Sequence, residues 1–254
     1  MNFRVVARRW GMRVFDAADL IGSALWGSRE YARLVVVGHA RTGTNYLIDG
    51  LTTSKHVRMY NEIFSNEYRE VGRDFERRLR RLYRKRSPSV RCVGFKLFDY
   101  HLTDSEWREF LEHKEFKVIH QTRKNRLRMI VSLDIAFATN QWVDFDAKAT
   151  LSQRRIRVET KDLLERIGNI EKVERKIEER FADRDTITVT YERLAADPFT
   201  EFRRIGVYLG VSDIDPGKIR MKRQNPEPLR DLILNYGEVE ETLRDTPYAN
   251  DLLS

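Results

Sequence analysis

The sequence contains a single cysteine, Cys92, among 254 residues, which excludes an internal disulfide and any cysteine-rich metal site. Its five histidines do not have the spacing of zinc ligands, and there is no internal repeat or low-complexity segment. Long apolar runs are also missing, because the N-terminal candidate, residues 14–26, is short and contains Asp16 and Asp19. We therefore expect a protein that is made and kept in the cytoplasm.

The composition is that of a globular protein with a basic surface. Charged residues make up 34% and apolar residues 41% of the chain, and 254 residues suffice for one substantial core. The net charge of +8 favours anionic partners such as nucleotides, sulfated or phosphorylated substrates, or a lipid surface. No pattern of a nucleic-acid-binding module is present, so we expect no nucleic-acid partner.

Short strand-like runs alternate with longer helical segments along the chain. The strands are predicted at residues 34–37, 56–60, 92–97, 116–120 and 186–190. This rhythm indicates an α/β fold with a parallel sheet, in one domain over residues 1–254. Helices are predicted over 66–86, from a cap at Asp104, and over 150–181 with a possible break at Gly168 and Asn169. Residues 1–30 are interpreted as a helical extension, and residues 143–182 as a helical insertion that frames an acceptor site.

The stretch VVVGHARTGTNYL, residues 35–47, has the outline of a phosphate-binding loop. Thr44 and Asn45 stand where a nucleotide triphosphatase has lysine and then serine or threonine, and Arg41 is the loop's cation. Backbone N–H groups at a strand-to-helix turn bind anions, and a guanidinium bridges two oxygens of a phosphate or sulfate. The residues predicted to bind an anionic cofactor here are Ala40, Arg41, Thr42, Gly43, Thr44 and Asn45.

A second basic site is predicted where the 116–120 strand ends. Arg123 and Lys124 follow that strand, and Ser132 lies two turns along the next helix. Ligands of open α/β sheets lie beyond the carboxyl ends of the strands. We therefore expect these three residues to hold a second phosphate, away from Arg41.

Both segments resemble the PAPS-dependent sulfotransferases, where PAPS is 3′-phosphoadenosine-5′-phosphosulfate. GHARTGTNYLIDGL is similar to the family's 5′-phosphosulfate loop, particularly in the bacterial nodulation-factor and trehalose sulfotransferases. VIHQTRKNRLRMIVSLDIAFATNQW, residues 118–142, resembles its 3′-phosphate segment, although the basic residue at the family's spacing is Lys124 rather than arginine. The resemblance covers at least residues 34–142. It implies the sulfotransferase fold, a P-loop NTPase-like parallel sheet flanked by helices. It also implies that PAPS is the donor, that PAP, the bisphosphate left after transfer of the sulfuryl group, is the product, and that no metal is needed.

The general base has three candidates. The resemblance to trehalose-type enzymes implies Glu62, in MYNEIF, and burial beside Ile63 and Phe64 is expected to raise its pKa towards neutral. His101 is the alternative, since histidine is the base in the cytosolic sulfotransferases and titrates near neutral pH. Lys96, near the end of the third strand, is the third candidate, but it is predicted to contact the transferred group or the substrate, or to form a surface ion pair.

Two further basic segments lie outside the motifs described so far. The tail RMKRQNPEPLRDLILNYGEV resembles the family's C-terminal element, which implies that Lys222, Arg223 and Gln224 reach the 3′-phosphate or form a lid. The alternative is a plain basic loop. The run ERRLRRLYRKR, residues 76–86, is either a solvated helix face or a basic wall for an acidic substrate or lipid head groups, with possible peripheral membrane contact.

These features favour transfer of a sulfuryl group from PAPS to a hydroxyl of a carbohydrate, glycolipid or similar small acceptor. One alternative is a small-molecule kinase with a degenerate phosphate-binding loop. The other is a non-catalytic protein that binds anions or lipid head groups.

Overall fold

The computed structural model of the chain describes residues 23, 26–65, 75–142, 150–222 and 224–253. The predicted N-terminal extension and residues 66–74 of the predicted charged helix therefore lie largely or wholly outside the described residues. The same holds for residues 143–149 of the predicted insertion and for Arg223.

The centre of the molecule is a five-stranded parallel sheet in the order β2-β3-β1-β4-β5. The strands are β1 (Ala32–Gly38), β2 (Val57–Tyr60), β3 (Cys92–Phe98), β4 (Phe116–Thr122) and β5 (Thr186–Thr190). The predicted α/β class with a parallel sheet flanked by helices is confirmed. Each observed strand overlaps one of the five predicted apolar runs.

Helices connect the strands and cover the sheet. They are α1 (Thr44–Leu51), α2 (Phe75–Leu82), α3 (Asp104–Glu112), α4 (Arg126–Thr139), α5 (Leu151–Arg154), α6 (Leu163–Arg180), α7 (Tyr191–Ala196), α8 (Pro198–Leu209), α9 (Leu229–Leu232) and α10 (Tyr236–Leu243). Three short 3₁₀ turns lie at Asp99–His101, Pro216–Lys218 and Ala249–Leu253.

The central strands are apolar on both faces because helices cover both sides of the sheet. On one face, Val35, Phe95 and Phe116 pack with α2, α3 and the end of α6. On the other face, Leu34 and Val36 pack with α1 and α8. A third apolar cluster joins α4, α6, α9 and α10 beside the sheet. This arrangement leaves the carboxyl edge of the strands free to carry polar side chains.

Three helix predictions need correction. The helix predicted over 66–86 ends at Leu82, and residues 83–86 are not helical. Thr103, not Asp104, caps α3, because its hydroxyl accepts a hydrogen bond from the backbone N–H of Glu106 at 3.3 Å. The helix over 163–180 runs through Gly168 without the suggested break. Within the predicted insertion, α6 buries Leu163, Ile167, Ile170 and Ile177 in the core. Its role in framing an acceptor stays a prediction.

The strand register fixes which segments meet at the carboxyl edge. Gly38, at the end of β1, is level with Phe98 of β3 and Gln121 of β4. Tyr60, at the end of β2, is level with Phe95. The loop after β1 is therefore flanked by the segment that leads to His101 on one side and by the segment that leads to Arg123 on the other.

Candidate active site

The loop between β1 and α1 has a backbone shape that binds anions. Arg41 has φ 68° and Gly43 has φ 87°, whereas Thr42 between them is not in the positive-φ region. Such alternation turns successive backbone N–H groups towards one point and forms a concave site for an anion. Gly43 is the N-cap of α1 and has no side chain to satisfy the first helical N–H groups. The start of α1 therefore has no side-chain cap, and the positive end of its helix dipole lies at this loop.

The neighbouring strand holds this loop in shape. Gln121 donates from Nε2 to the carbonyl of Thr42 at 2.9 Å, and Arg123 donates to the carbonyl of Arg41 at 3.2 Å. The Thr42 hydroxyl, fully buried, donates to the carbonyl of His39 at 2.8 Å. These three bonds engage the carbonyls of His39, Arg41 and Thr42 and thereby fix the orientation of the loop backbone.

Arg41 connects the loop to two distant parts of the chain. Its Nε and Nη2 donate to the Ser132 hydroxyl at 2.9 and 2.8 Å, and Nη1 donates to the carbonyl of Trp142 at 3.0 Å. Nη2 also donates to Oε1 of Gln224. Burial lowers the pKa of Arg41 to about 10, so the guanidinium keeps its charge at neutral pH in a partly dry site. Ser132, predicted to hold a second phosphate away from Arg41, is thus in contact with Arg41 in this structure, and its part in binding that phosphate stays a prediction.

A second cluster lies at the ends of β2 and β3. Lys96 is almost fully buried, and its Nζ lies 2.7 Å from Oε1 of Glu62 and donates to Oδ1 of Asn45 at 2.7 Å. A buried ammonium needs such partners, because desolvating an unpaired charge is costly. Lys96 thereby ties the phosphate-binding loop to Glu62. The four predicted residues Arg41, Asn45, Lys96 and Glu62 thus belong to one region of the sheet edge.

The hydrogen bonds of His101 determine which ring nitrogen carries a proton. Its Nδ1 accepts from the backbone N–H of Phe98 at 3.1 Å, so in the neutral ring the proton is on Nε2. Nε2 lies 3.5 Å from Oε2 of Glu62. In this arrangement His101 offers a proton to Glu62 instead of accepting one. The carboxylate has 34% side-chain exposure, whereas His101 and Lys96 have 2% each, so Glu62 is the member of the cluster that solvent reaches.

The pKa of Glu62 is shifted in the opposite direction from the one expected. Burial does raise it, but the hydrogen bond with His101 and the charge of Lys96 together outweigh burial and lower the pKa to about 2. The expectation that Ile63 and Phe64 would bring the pKa towards neutral is therefore wrong. The sequence showed the apolar neighbours but not the two basic groups on β3 and the turn after it.

Arg123, one of the residues predicted to hold a second phosphate, packs against an aromatic ring. Its guanidinium lies 4.2 Å from the centre of the Tyr191 ring, and the same ring lies against Gly43. Any side chain at Gly43 would clash, since an added Cβ would lie 2.6 Å from the tyrosine. Lys124 is exposed, and its backbone N–H donates to Glu192 at 3.0 Å. Arg123 therefore borders the loop, while the Lys124 side chain is directed outwards.

The N-terminus of α4 is occupied by a carboxylate of the chain itself. Oδ2 of Asp251 accepts from the backbone N–H groups of Arg126 and Leu127 at 2.8 and 3.2 Å. Asn125, the N-cap, donates to the Asp251 carbonyl at 2.7 Å. An anion near Arg123 and Lys124 must therefore be held by their side chains, because the amides at the start of α4 are already satisfied.

One residue of the tail after α8, Gln224, contacts the loop between β1 and α1. Gln224 contacts Arg41, as described above, and Arg128 holds the adjacent backbone by donating to the carbonyls of Asn225 and Glu227 at 3.0 Å each. Lys222 is exposed. Of the three tail residues predicted to bind the cofactor, Gln224 is thus placed beside the loop, and Arg223 lies outside the described residues.

Three residues at this edge were not predicted to belong to the site. His39, in the loop, donates from Nδ1 to the Ala40 carbonyl at 2.9 Å, and burial lowers its pKa. Gln121 and Tyr191 support the loop from β4 and from the start of α7. The only sequence signal for Gln121 and Tyr191 is that both lie at or just after the carboxyl end of a predicted strand.

Within the part of the chain that the structure describes, no group of three or more acidic, histidine or cysteine side chains is arranged to hold a metal. Among the same residues, no helix combines the length and apolar character needed to cross a bilayer.

No protein-family model and no curated protein sequence matches the chain. Among solved structures, it is similar to a sulfotransferase from Alicyclobacillus acidocaldarius, with 18% identity, a TM-score of 0.48 and coverage of 87% of this chain and 92% of that one. It is also similar to mouse sulfotransferase SULT7A1 complexed with PAP, with 13% identity, a TM-score of 0.48 and coverage of 93% and 92%. Neither likeness decides an activity, which depends on the side chains described above.

Proposed function

We propose that the protein transfers a sulfuryl group from PAPS to a hydroxyl of a small acceptor and releases PAP. One observation carries the proposal. Arg41, the cation of an anion-binding loop, is bonded to Ser132 and lies in the same region as the Lys96–Glu62 pair. The site therefore combines positive charge for a leaving phosphate with a carboxylate that can receive a proton from a hydroxyl.

The residues present fit the donor. The loop amides of residues 42–45 and the Arg41 guanidinium suit its 5′ end, and Arg123, Lys124 and Ser132 suit its 3′-phosphate. The donor supplies an activated sulfuryl group when bound. Because Ser132 contacts Arg41, we infer that donor binding redirects one of these side chains, so that each holds a different part of the nucleotide.

Glu62 is the proposed proton acceptor. It is ionised at neutral pH and more exposed than its two basic partners, whereas Nε2 of His101 already carries a proton. A carboxylate of low pKa is a weak base in the resting site. Entry of the anionic donor beside Lys96 supplies that cation with a competing partner, and weaker pairing with Lys96 raises the basicity of Glu62. His101 then stabilises the orientation of the carboxylate as a hydrogen-bond donor.

Aromatic side chains beside this cluster support a ring-shaped acceptor. Tyr100 is 61% exposed and packs edge-on against His101, with ring centres 4.9 Å apart. Phe137 and Trp142, 66% and 39% exposed, pack edge-on at 4.9 Å beside the Trp142 carbonyl that binds Arg41. Exposed aromatic faces bind the apolar face of a sugar or another ring. We propose a carbohydrate or glycolipid hydroxyl as the acceptor.

Calorimetry with PAP and with ATP plus Mg²⁺ tests this function against a kinase. We expect PAP to bind and ATP with Mg²⁺ to bind far more weakly, since the loop has no lysine and hydroxyl in the triphosphatase positions. Incubation with labelled PAPS and a metabolite extract, followed by mass spectrometry, should then reveal products heavier by one sulfuryl unit. Preference for ATP with Mg²⁺ would replace the proposal with a kinase, and PAP binding without any product would favour a non-catalytic binder.

The Lys96→Met variant tests how the site controls its base. In the parent protein the pKa of Glu62 is about 2, so kcat/KM should show no acid limb from Glu62 between about pH 5 and 8. Removing the ammonium takes away a group that lowers this pKa, while burial still raises it, so an acid limb should move up into the measured range. Lys114→Met, which removes an exposed lysine paired with Asp183, should leave the profile unchanged. Identical profiles for the parent and Lys96→Met would exclude Glu62 as the titrating base.

A further inference from the structure

Helix α2 has one buried face and one strongly basic face. Phe75, Leu79 and Leu82 pack into the core, in the helical spacing of an amphipathic helix. The exposed cations of this helix and of the turn that follows it are Arg77, Arg80, Arg81 and Lys85. Glu76 of this helix lies 3.9 Å from Arg80 Nε, and Arg80 still has 78% side-chain exposure.

The described segment that precedes β1 lies against the end of this basic stretch. Ser28 and Arg86 exchange two backbone hydrogen bonds of 2.9 and 2.8 Å in an antiparallel bridge. Trp26, two residues before the bridge, is 83% exposed, and Arg29, directly after Ser28, is exposed as well. A tryptophan with almost its whole side chain in water therefore lies two residues from the bridge to Arg86, the residue that follows Lys85.

We call this surface the basic face and define it as Trp26, Arg29, Arg77, Arg80, Arg81 and Lys85. Among the described residues, Glu30 and Glu76 are the carboxylates next to these cations along the chain, and Glu109 lies beside Glu76, so the five cations of the face outnumber them. The face is rigidly connected to the proposed active site, because Nη1 of Arg78, on the same helix, donates to the Ile63 carbonyl at 3.3 Å, one residue after Glu62.

We propose that the basic face binds the surface of a membrane rich in anionic phospholipid. The cations complement the negative head groups, and each contributes separately to the attraction. The exposed indole supports a lipid surface over a soluble polyanion, since tryptophan partitions into the interface between head groups and acyl chains. The face is formed by groups outside the site described above and does not depend on sulfuryl transfer. Binding would hold the segment that carries Glu62 close to the bilayer.

Vesicle co-sedimentation of the full chain tests this inference. The probes are vesicles of phosphatidylcholine alone and vesicles with about 30% phosphatidylglycerol, where Lys and Arg gain attraction to the charged surface. We expect binding to the anionic vesicles only, and weaker binding as salt is raised. The variant Arg80→Gln, Arg81→Gln, Lys85→Gln should lose about fivefold in partitioning per cation, or on the order of 100-fold in total.

Two comparisons make the test specific. The variant Lys161→Gln, Lys172→Gln, Arg175→Gln removes the same charge from exposed positions on and before α6, and it should bind almost like the parent chain. Trp26→Ser should weaken binding without changing its salt dependence, because it removes an apolar contact and no charge. The proposal would be overturned if both triple variants lost binding equally, or if the parent chain did not bind anionic vesicles. It would also be overturned if the chain bound heparin and anionic vesicles did not displace it from heparin.

Discussion

Replacing Arg41 with alanine is expected to lower kcat by about 10²–10³-fold, with a smaller effect on PAP binding. The guanidinium is partly dry and charged, and in the proposed reaction it lies at the loop where negative charge would accumulate on the leaving phosphate. Binding declines less because the loop amides and Arg123 remain. Single-turnover kinetics with PAPS and calorimetry with PAP separate the two quantities.

Two variants accompany the Arg41 test. Arg41→Lys keeps the charge but loses the planar fork that bridges two oxygens, so its turnover should lie between those of the parent and Arg41→Ala. Arg244→Ala removes an exposed arginine at the end of α10 and should act like the parent. Near-normal turnover of Arg41→Ala would refute the assignment of the loop as the donor site.

The Glu62→Gln variant is expected to lose about 10²–10⁴-fold in kcat, because glutamine keeps the shape of the side chain but does not accept a proton at neutral pH. His101→Gln should lose less, since its proposed role is to donate a hydrogen bond to Glu62. Steady-state kinetics on both variants, with thermal unfolding measured in parallel, gives the comparison.

The Glu62 comparison also decides between the two candidate bases. Glu112→Gln, an exposed position at the end of α3, controls for the loss of one negative charge. A larger loss in His101→Gln than in Glu62→Gln would assign the base to the histidine, contrary to the proton position inferred from its bond to Phe98.

The sheet and its loop were predictable because they depend on local sequence. Apolar runs such as 34–37 and 116–120 can be buried only between two helical layers, and the glycines of the loop mark the turn between β1 and α1. The positions of Arg41, Glu62 and Lys96 at one edge of the sheet follow from the rule that parallel strands share a carboxyl edge. The sequence was therefore sufficient to predict the sheet, the loop after β1 and the edge at which these three residues lie.

Pairwise contacts between distant side chains were not predictable in the same way. Arg41 meets Ser132 across 91 residues and Gln224 across 183, and no local pattern encodes those partners. The low pKa of Glu62 likewise depends on where two basic groups of the β3 segment end in space. Sequence neighbours suggested an apolar surrounding, whereas the folded chain supplies a charged one.

The bond between Arg41 and Gln224 has a consequence for synthesis. The loop leaves the ribosome early, but the residue that completes its surroundings follows 183 positions later. Closing such a distant pair is a late event in folding, since its loop entropy is recovered only when the intervening elements have packed. A nascent chain that has not yet reached residue 224 therefore lacks the side chain that accepts from Nη2 of Arg41, and the surroundings of this guanidinium are complete only after residue 224 has been synthesised.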